Sequence, residues 1–275
     1  MMIALSGVAS VAFAETDASV STTETLAALS AVPGVLSASK DITPISSVEA
    51  VAVVRQSGTT VTVYRDPSAG VRVSQQGGSY AVHVPRAGHE QPALVAPGVA
   101  AYPGTASSST AVQTLKDGGV RLLTVMTSSA AAETYGYPVS VDGGGSVIVN
   151  SDGSAAIVSD AGNVITQIQA PWAVDSRGAK VPTYYETDGK TLTQHIAHHS
   201  GGYEYPIVAD PVFWDYVLCI TGTGVPVGLA WYLAAELGSM TAIKAIISGT
   251  KGMPPGFPRI YATKIYNACW RFLRS

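Results

Sequence analysis

From Ser47 to Pro211 the chain consists of short β-branched runs cut by turn-forming pairs, and this pattern constrains the fold more than any other feature of the sequence. Val51–Arg55, Thr60–Tyr64, Val71–Val73, Tyr80–Val84 and Val120–Thr127 form a first group of runs. Val147–Val149, Ala156–Val158, Val164–Ile168, Pro182–Glu186, Thr191–Ala197 and Tyr203–Val208 form a second. Many of these runs alternate with period two, the spacing of a strand with one buried face. Between them fall Asp142-Gly143, Asp152-Gly153, Asp160-Ala161-Gly162 and Asp188-Gly189. Tight hairpins need positive φ at one or both central residues, which glycine adopts without a Cβ clash. The expected fold is mainly β: an antiparallel sandwich or barrel-like body with a small α-helical C-terminal tail. Residues 86–110, rich in proline and glycine and containing Ser107-Ser108-Ser109, read as a loop within that body.

Composition points to where such a body works. Apolar residues are 47% of the chain and charged residues only 13%, against the usual quarter. A surface solvated by hydroxyls and backbone suits an extracellular β protein better than a cytosolic enzyme. Residues 1–14, MMIALSGVASVAFA, are small and apolar, with Ala12 and Ala14 in an A-x-A cleavage pattern before Glu15. They read as a signal peptide. No Lys or Arg precedes the apolar run, which places the expected start upstream of Met1. Residues 15–47 read mainly as a flexible N-terminal segment, with room for a short helix near Thr23–Ala31. Then come a first β region (48–130), a second (131–212) and the tail (213–275). The expected localisation is secreted, with association at the cell surface.

The tail is chemically distinct. It carries two acids against six bases, whereas residues 1–212 carry 17 acids and 10 bases. Tyr216–Ala235 holds no charge, but Gly222, Gly224, Pro226 and Gly228 break its first half. Phe257–Leu273 reads as a basic amphipathic helix, with Tyr261, Ile265, Cys269 and Phe272 on one face. Lys264, Arg271 and Arg274 are its expected contacts to an anionic surface, which makes the cell envelope or membrane the expected partner of the tail. Cys219 and Cys269 are the only cysteines, and in an exported chain they are expected to form one disulfide. Closing a loop of about fifty residues would stabilise the tail by about 3–4 kcal/mol.

Catalytic motifs are not a feature of this sequence. No G-x-S-x-G elbow, Walker A loop or dinucleotide fingerprint occurs, so no cofactor is expected. The body is acidic and lacks a basic patch with interleaved aromatics, which excludes nucleic acid as a partner. His195-Ile196-Ala197-His198-His199 is the one metal-like cluster, with His195 and His199 as its candidate ligands. The glutamate of H-E-x-x-H is missing, and the flanking residues favour a strand, which puts His195 and His199 on one face and His198 opposite. The expected reading is polar residues at an exposed strand end, with no metal. Asp175, Asp188 and Asp210 read as turn caps.

One segment carries a resemblance. Ala170-Pro171-Trp172-Ala173-Val174-Asp175, then Val181-Pro182-Thr183-Tyr184-Tyr185-Glu186, then Tyr205-Pro206-Ile207-Val208-Ala209-Asp210-Pro211 resembles an APWA-D, VPT-YE, YPVVADP module of secreted actinobacterial proteins of unknown function. A shorter ending of this kind is similar to β regions of Rhs-type surface proteins. The resemblance covers residues 145–212 and implies a secreted β module followed by a variable, cysteine-containing tail, with no activity attached. Within it, Trp172 and Tyr185 are expected core anchors, and Asp210-Pro211 is expected to end the last strand.

The function expected from these features is non-enzymatic binding or presentation at the cell surface. The alternatives are a bacteriocin-like, membrane-active tail carried by a β domain, and a secreted enzyme with an unrecognised site. Mass spectrometry of protein recovered from culture medium is expected to find Glu15 as the N-terminal residue; an intact Met1 on cytosolic protein would remove the export reading.

Overall fold

The structure is a computed structural model that describes residues 19–36, 47–56, 59–75, 78–88, 90–105, 107–115, 119–214, 244–245, 247–249 and 260–269. Its strands are numbered along the chain. The first hairpin runs become a meander of β1 (Ala50–Gln56), β2 (Thr59–Tyr64), β3 (Val71–Gln75) and β4 (Gly78–Val82). Gly70, between β2 and β3, has φ +60°, and a Cβ there would lie 2.1 Å from the Val82 carbonyl oxygen. Only glycine lets that turn lie against β4. Beyond β4 the sheet continues with β9 (Thr134–Val141), β15 (Thr191–Ile196) and β14 (Thr183–Thr187), seven strands in all. Inward positions alternate as the period-two pattern predicts: Leu192, Gln194 and Ile196 are buried on β15, while Thr191, Thr193 and His195 are not.

The second sheet has ten strands. Its main path runs β10 (Gly145–Val149), β11 (Ala155–Ser159), β12 (Val164–Ile168), β17 (Val212–Trp214), β8 (Val120–Met126), β7 (Ser108–Thr114), β6 (Val99–Tyr102) and β5 (Ala93–Ala96). Off this path, β16 (Ile207–Asp210) pairs with both β8 and β13 (Trp172–Val174). Every strand pairing is antiparallel. One core joins the two sheets, with Val63, Tyr80, Tyr137 and Leu192 from the first and Leu122, Ile157, Ile168 and Phe213 from the second. The body is therefore sandwich-like and not a closed barrel. Burying each such aliphatic or aromatic side chain stabilises the fold by about 1.5–3 kcal/mol.

Several expectations change. The two β regions of the sequence interleave: each supplies strands to both sheets, and both share one core. Residues 86–110 are not a loop, since β5, β6 and the start of β7 lie within them. Within residues 15–47, read mainly as flexible, the short helix allowed near Thr23–Ala31 is present as α1 (Thr22–Ala31), capped by Ser21 and Glu24 in a capping box. Ala28, Leu29, Val32 and Val35 pack on Val99, Ala111, Leu123, Val125 and Val208. That contact covers the outer face of the second sheet, so β6 and β7 are buried at every position, as strands sandwiched between two layers must be. The expected strand at 203–208 begins only at Ile207.

Near the C-terminus the structure describes helix α2 (Ile260–Cys269), where Ala262 and Ile265 are buried and Lys264 is exposed. Arg271 and Arg274, Cys219, the side chain of Cys269, the 216–235 stretch and the signal-like residues 1–14 lie outside what is described. Among the described residues no helix is long and apolar enough to cross a membrane.

Asp210-Pro211 does not end the last strand; it interrupts it. β16 pairs with the Met126 half of β8 and β17 with the Val120 half. On the other side β16 pairs with β13 and β17 with β12. Both partner strands break at a proline, Pro171 and Pro211, where the ring removes a ladder N–H. At the break Asp210 is buried, and its carboxylate lies 3.1 Å from the Arg121 Nε on β8. The expectation that Asp210 caps a turn is thereby corrected. Arg121 also sits over the Trp172 ring, 5.4 Å from its centroid, and donates to Gln113 Oε1 at 3.2 Å. Trp172 is half-buried rather than a core anchor, whereas Tyr185 is buried and donates its hydroxyl to the Asp210 carbonyl at 3.0 Å.

Burial pushes the Asp210 carboxyl up to about 7, with the Arg121 guanidinium and the Trp172 N–H groups pulling the other way. A carboxyl raised by folding contributes most below its unfolded pKa of about 4, and that contribution is lost as pH rises toward 7. Arg121→Met is expected to cost about 3 kcal/mol at pH 8, where it strands a buried carboxylate, and distinctly less at pH 5, where the carboxyl is protonated. Urea unfolding at the two pH values measures this; equal costs would show that Asp210 is not the titrating partner.

Candidate functional site

Two chain crossings between the sheets are forced to run side by side, and they build the site. Residues 127–133 leave β8 in the second sheet and enter β9 in the first. Residues 197–206 leave β15 in the first sheet and enter β16 in the second. Antiparallel pairing places the start of β9 beside the end of β15, with Thr134 opposite His195. It also places the end of β8 beside the start of β16, with Met126 opposite Ile207. The first crossing therefore meets the second along its length, and Ile196 N donates to the Glu133 carbonyl at 2.8 Å.

Three side chains converge there. His199 N donates to Glu133 Oε1 at 2.8 Å, and His199 Nδ1 lies 3.5 Å from Glu133 Oε2. His198 is buried, with Nε2 3.1 Å from the Ala132 carbonyl and Nδ1 2.6 Å from the Tyr205 hydroxyl. His199 Nε2 lies 3.1 Å from the Ala131 carbonyl. The two imidazoles meet edge to face, 4.2 Å between centroids. Burial holds the His198 imidazole below its ordinary range despite the Ala132 carbonyl, so the ring is neutral at neutral pH. A carbonyl only accepts, so His198 carries its proton on Nε2, and Nδ1 accepts from Tyr205. The His199 backbone N–H, outweighing a small desolvation, keeps Glu133 below the usual carboxylate range and hence charged.

Beside these residues opens a cleft of about 470 Å³ lined by Ser129, His198, His199, Ser200, Tyr203 and Tyr205 among others. Its outer loop is braced from below. Asp175, fully buried, accepts from Arg177 N at 2.9 Å, Ala179 N at 2.8 Å and Glu204 N at 3.1 Å. Arg177 reaches back to Glu204 Oε1 at 3.1 Å and donates to the Gly202 carbonyl at 3.2 Å. Burial works to raise the Asp175 carboxyl, but the backbone donors of Glu204, Ala179 and Arg177 and the Arg177 guanidinium together hold it below the usual range. The turn-cap reading of Asp175 is thus correct and incomplete, since its third bond fixes the cleft loop.

The sequence pairing of His195 with His199 does not survive. His195 is the last outward-facing residue of β15 and stacks on Tyr184 at 4.6 Å with its Nε2 3.0 Å from Glu186 Oε2. The strand stops at Ile196, which frees His198 from strand alternation and turns it toward His199. Glu133 and Tyr205 escaped the sequence reading. Glu133 is 65 positions before His198, and only the β9–β15 register brings it near. Tyr205 stood in the recognised YPIVADP string without an assigned partner. Comparison with family models, curated proteins and solved structures finds no match for this chain.

Asp175→Ala removes an acceptor shared by three backbone N–H groups and is expected to cost about 2–4 kcal/mol at pH 7. Because folding depresses this carboxyl, its contribution exists above the unfolded pKa and is lost as pH falls through the carboxylate range. Hydrogen exchange should show the amide of Glu204 losing protection first; unchanged protection there would exclude the bracing role.

Proposed function

We propose that this chain is an exported, non-enzymatic β-sandwich protein that binds at the cell envelope, using the cleft between the two inter-sheet crossings as its contact surface. The cleft is the observation that carries this reading. It is open, it sits at the end of a rigid sandwich, and it offers Tyr203, Tyr205 and two imidazoles beside the hydroxyls of Ser129 and Ser200. Rings flanked by hydroxyls suit a hydroxyl-rich envelope polymer, where ring faces cover apolar patches and polar groups set orientation. A braced loop limits the ordering cost of binding. Both nitrogens of His198 are engaged by Tyr205 and the Ala132 carbonyl, an arrangement that favours a fixed recognition surface over a mobile proton carrier. The apolar N-terminal residues, the low charge content and the likeness of residues 145–212 to secreted actinobacterial modules support export.

Co-sedimentation of the full chain with purified cell-wall sacculi is the direct test. Wild-type protein is expected in the pellet, and Tyr203→Ala is expected to weaken binding about tenfold, the loss of about 1.4 kcal/mol of ring contact. Wild-type protein left wholly in the supernatant, or a Tyr203→Ala protein that pellets equally well, would defeat the reading. Pelleting only with anionic lipid vesicles would instead transfer the function to the tail around Lys264.

A further inference from the structure

We propose that Glu133, His198 and His199 form a divalent cation site of the zinc class in the wall of the cleft. A ring nitrogen of each histidine and a carboxylate oxygen of Glu133 all lie within 4.8 Å of one another. The His198 tautomer is already the one a metal requires. Consecutive backbone carbonyls, Ala131 and Ala132, sit 3.1 Å from the Nε2 atoms of His199 and His198 respectively. Each can only accept, so both Nε2 atoms carry a proton; His198 Nδ1, which accepts from Tyr205, holds a lone pair, whereas His199 Nδ1 faces the Glu133 carboxylate, itself an acceptor, and gives up any proton there when an ion binds. Ligating histidines commonly have their second nitrogen held in this way, by a backbone carbonyl that sets the ring and raises its basicity. His199 Nδ1 faces the Glu133 carboxylate, and His198 Nδ1 receives the Tyr205 hydroxyl.

Two imidazole nitrogens and one carboxylate oxygen match zinc and its first-row neighbours, not calcium or magnesium, which take oxygen donors. Ligand bonds of about 2.0–2.2 Å would draw the three donors closer together than they now stand. Tyr205 must give up its bond to His198 Nδ1 when the ion takes that lone pair. The fourth position then faces the open cleft, where a water or a ligand oxygen completes the shell. His195, engaged by Glu186 and Tyr184, belongs to none of this. The site does not depend on envelope binding: an ion can sit there whether or not sacculi are bound.

The test titrates the full-length chain, chelator-treated and with its cysteines alkylated, with Co²⁺ followed by visible absorption, then displaces the ion with Zn²⁺. One Co²⁺ per chain with intense tetrahedral-type bands, bleached by Zn²⁺, is expected. Glu133→Gln and His199→Ala are each expected to weaken binding at least about tenfold, while His195→Ala leaves it unchanged. His198 is buried and its replacement risks the fold, so half-buried Glu133 and exposed His199 carry the test, with urea unfolding confirming that each variant is folded. No cobalt spectrum, affinity unchanged in both variants, or affinity lost equally in His195→Ala would each overturn the site. Sacculus binding is read separately, so either result stands without the other.

Discussion

The Arg121–Asp210 pair sits where the second sheet breaks its own ladder, and the rest of the structure is arranged around that break. Prolines at 171 and 211 interrupt two neighbouring strands at the same level. The interruption exposes a buried carboxylate to a single guanidinium. A buried pair of this kind gains little net energy over a hydrophobic substitute, because desolvation offsets attraction. Its larger effect is on register. A strand slip of one residue would move Asp210 away from Arg121 and leave a charge buried alone, at a cost of several kcal/mol. The Tyr185 hydroxyl on the Asp210 carbonyl then ties β14 of the first sheet to the same point, so the break also fixes how the two sheets face each other.

The candidate site inherits its geometry from that registration. β16 pairs with β8 on the second sheet and β15 with β9 on the first. Once both pairings are set, the crossings at 127–133 and 197–206 have no choice but to run together. Glu133 meets His199 for that reason, and not through any local preference of either residue. Asp175 supplies the second constraint. A carboxylate with three backbone donors is held firmly, and here one of the donors belongs to the cleft loop. The surface proposed to bind is therefore supported by β strands on one side and by a buried carboxylate on the other, which is how a loop becomes a defined site.

The α1 helix explains a feature that sheet chemistry alone would not. β6 and β7 show no alternation because α1 closes their outer face. Thr25 on that helix shares a buried 2.7 Å hydroxyl contact with Ser109, so even the polar residues of the interface are satisfied. A stretch poor in charge and periodicity thus becomes part of the core when a second surface is present to receive it.

The sequence by itself determined the antiparallel β body and where its hairpins turn. Gly143, Gly153, Gly162 and Gly189 all adopt the positive φ expected after their aspartates, and Asp188 accepts from the amides of Lys190 and Thr191 at 2.8 and 2.7 Å. These are local effects of backbone sterics and side-chain capping, acting over a few residues, so a few residues suffice to read them. Residues 170–211 were also legible as a set, since Trp172, Tyr185 and Asp210 stood out together. Only the tertiary structure decided that they meet at one break, that the two β regions interleave in one sandwich, and that residues 93–102 are strands and not a loop. It also decided that His198, not His195, stands with His199, because the strand ends at Ile196 and alternation ceases there. Glu133 joins them through the β9–β15 ladder alone. Strand pairing across sixty residues is set by burial and register in the whole assembly, and no short window of sequence contains that information.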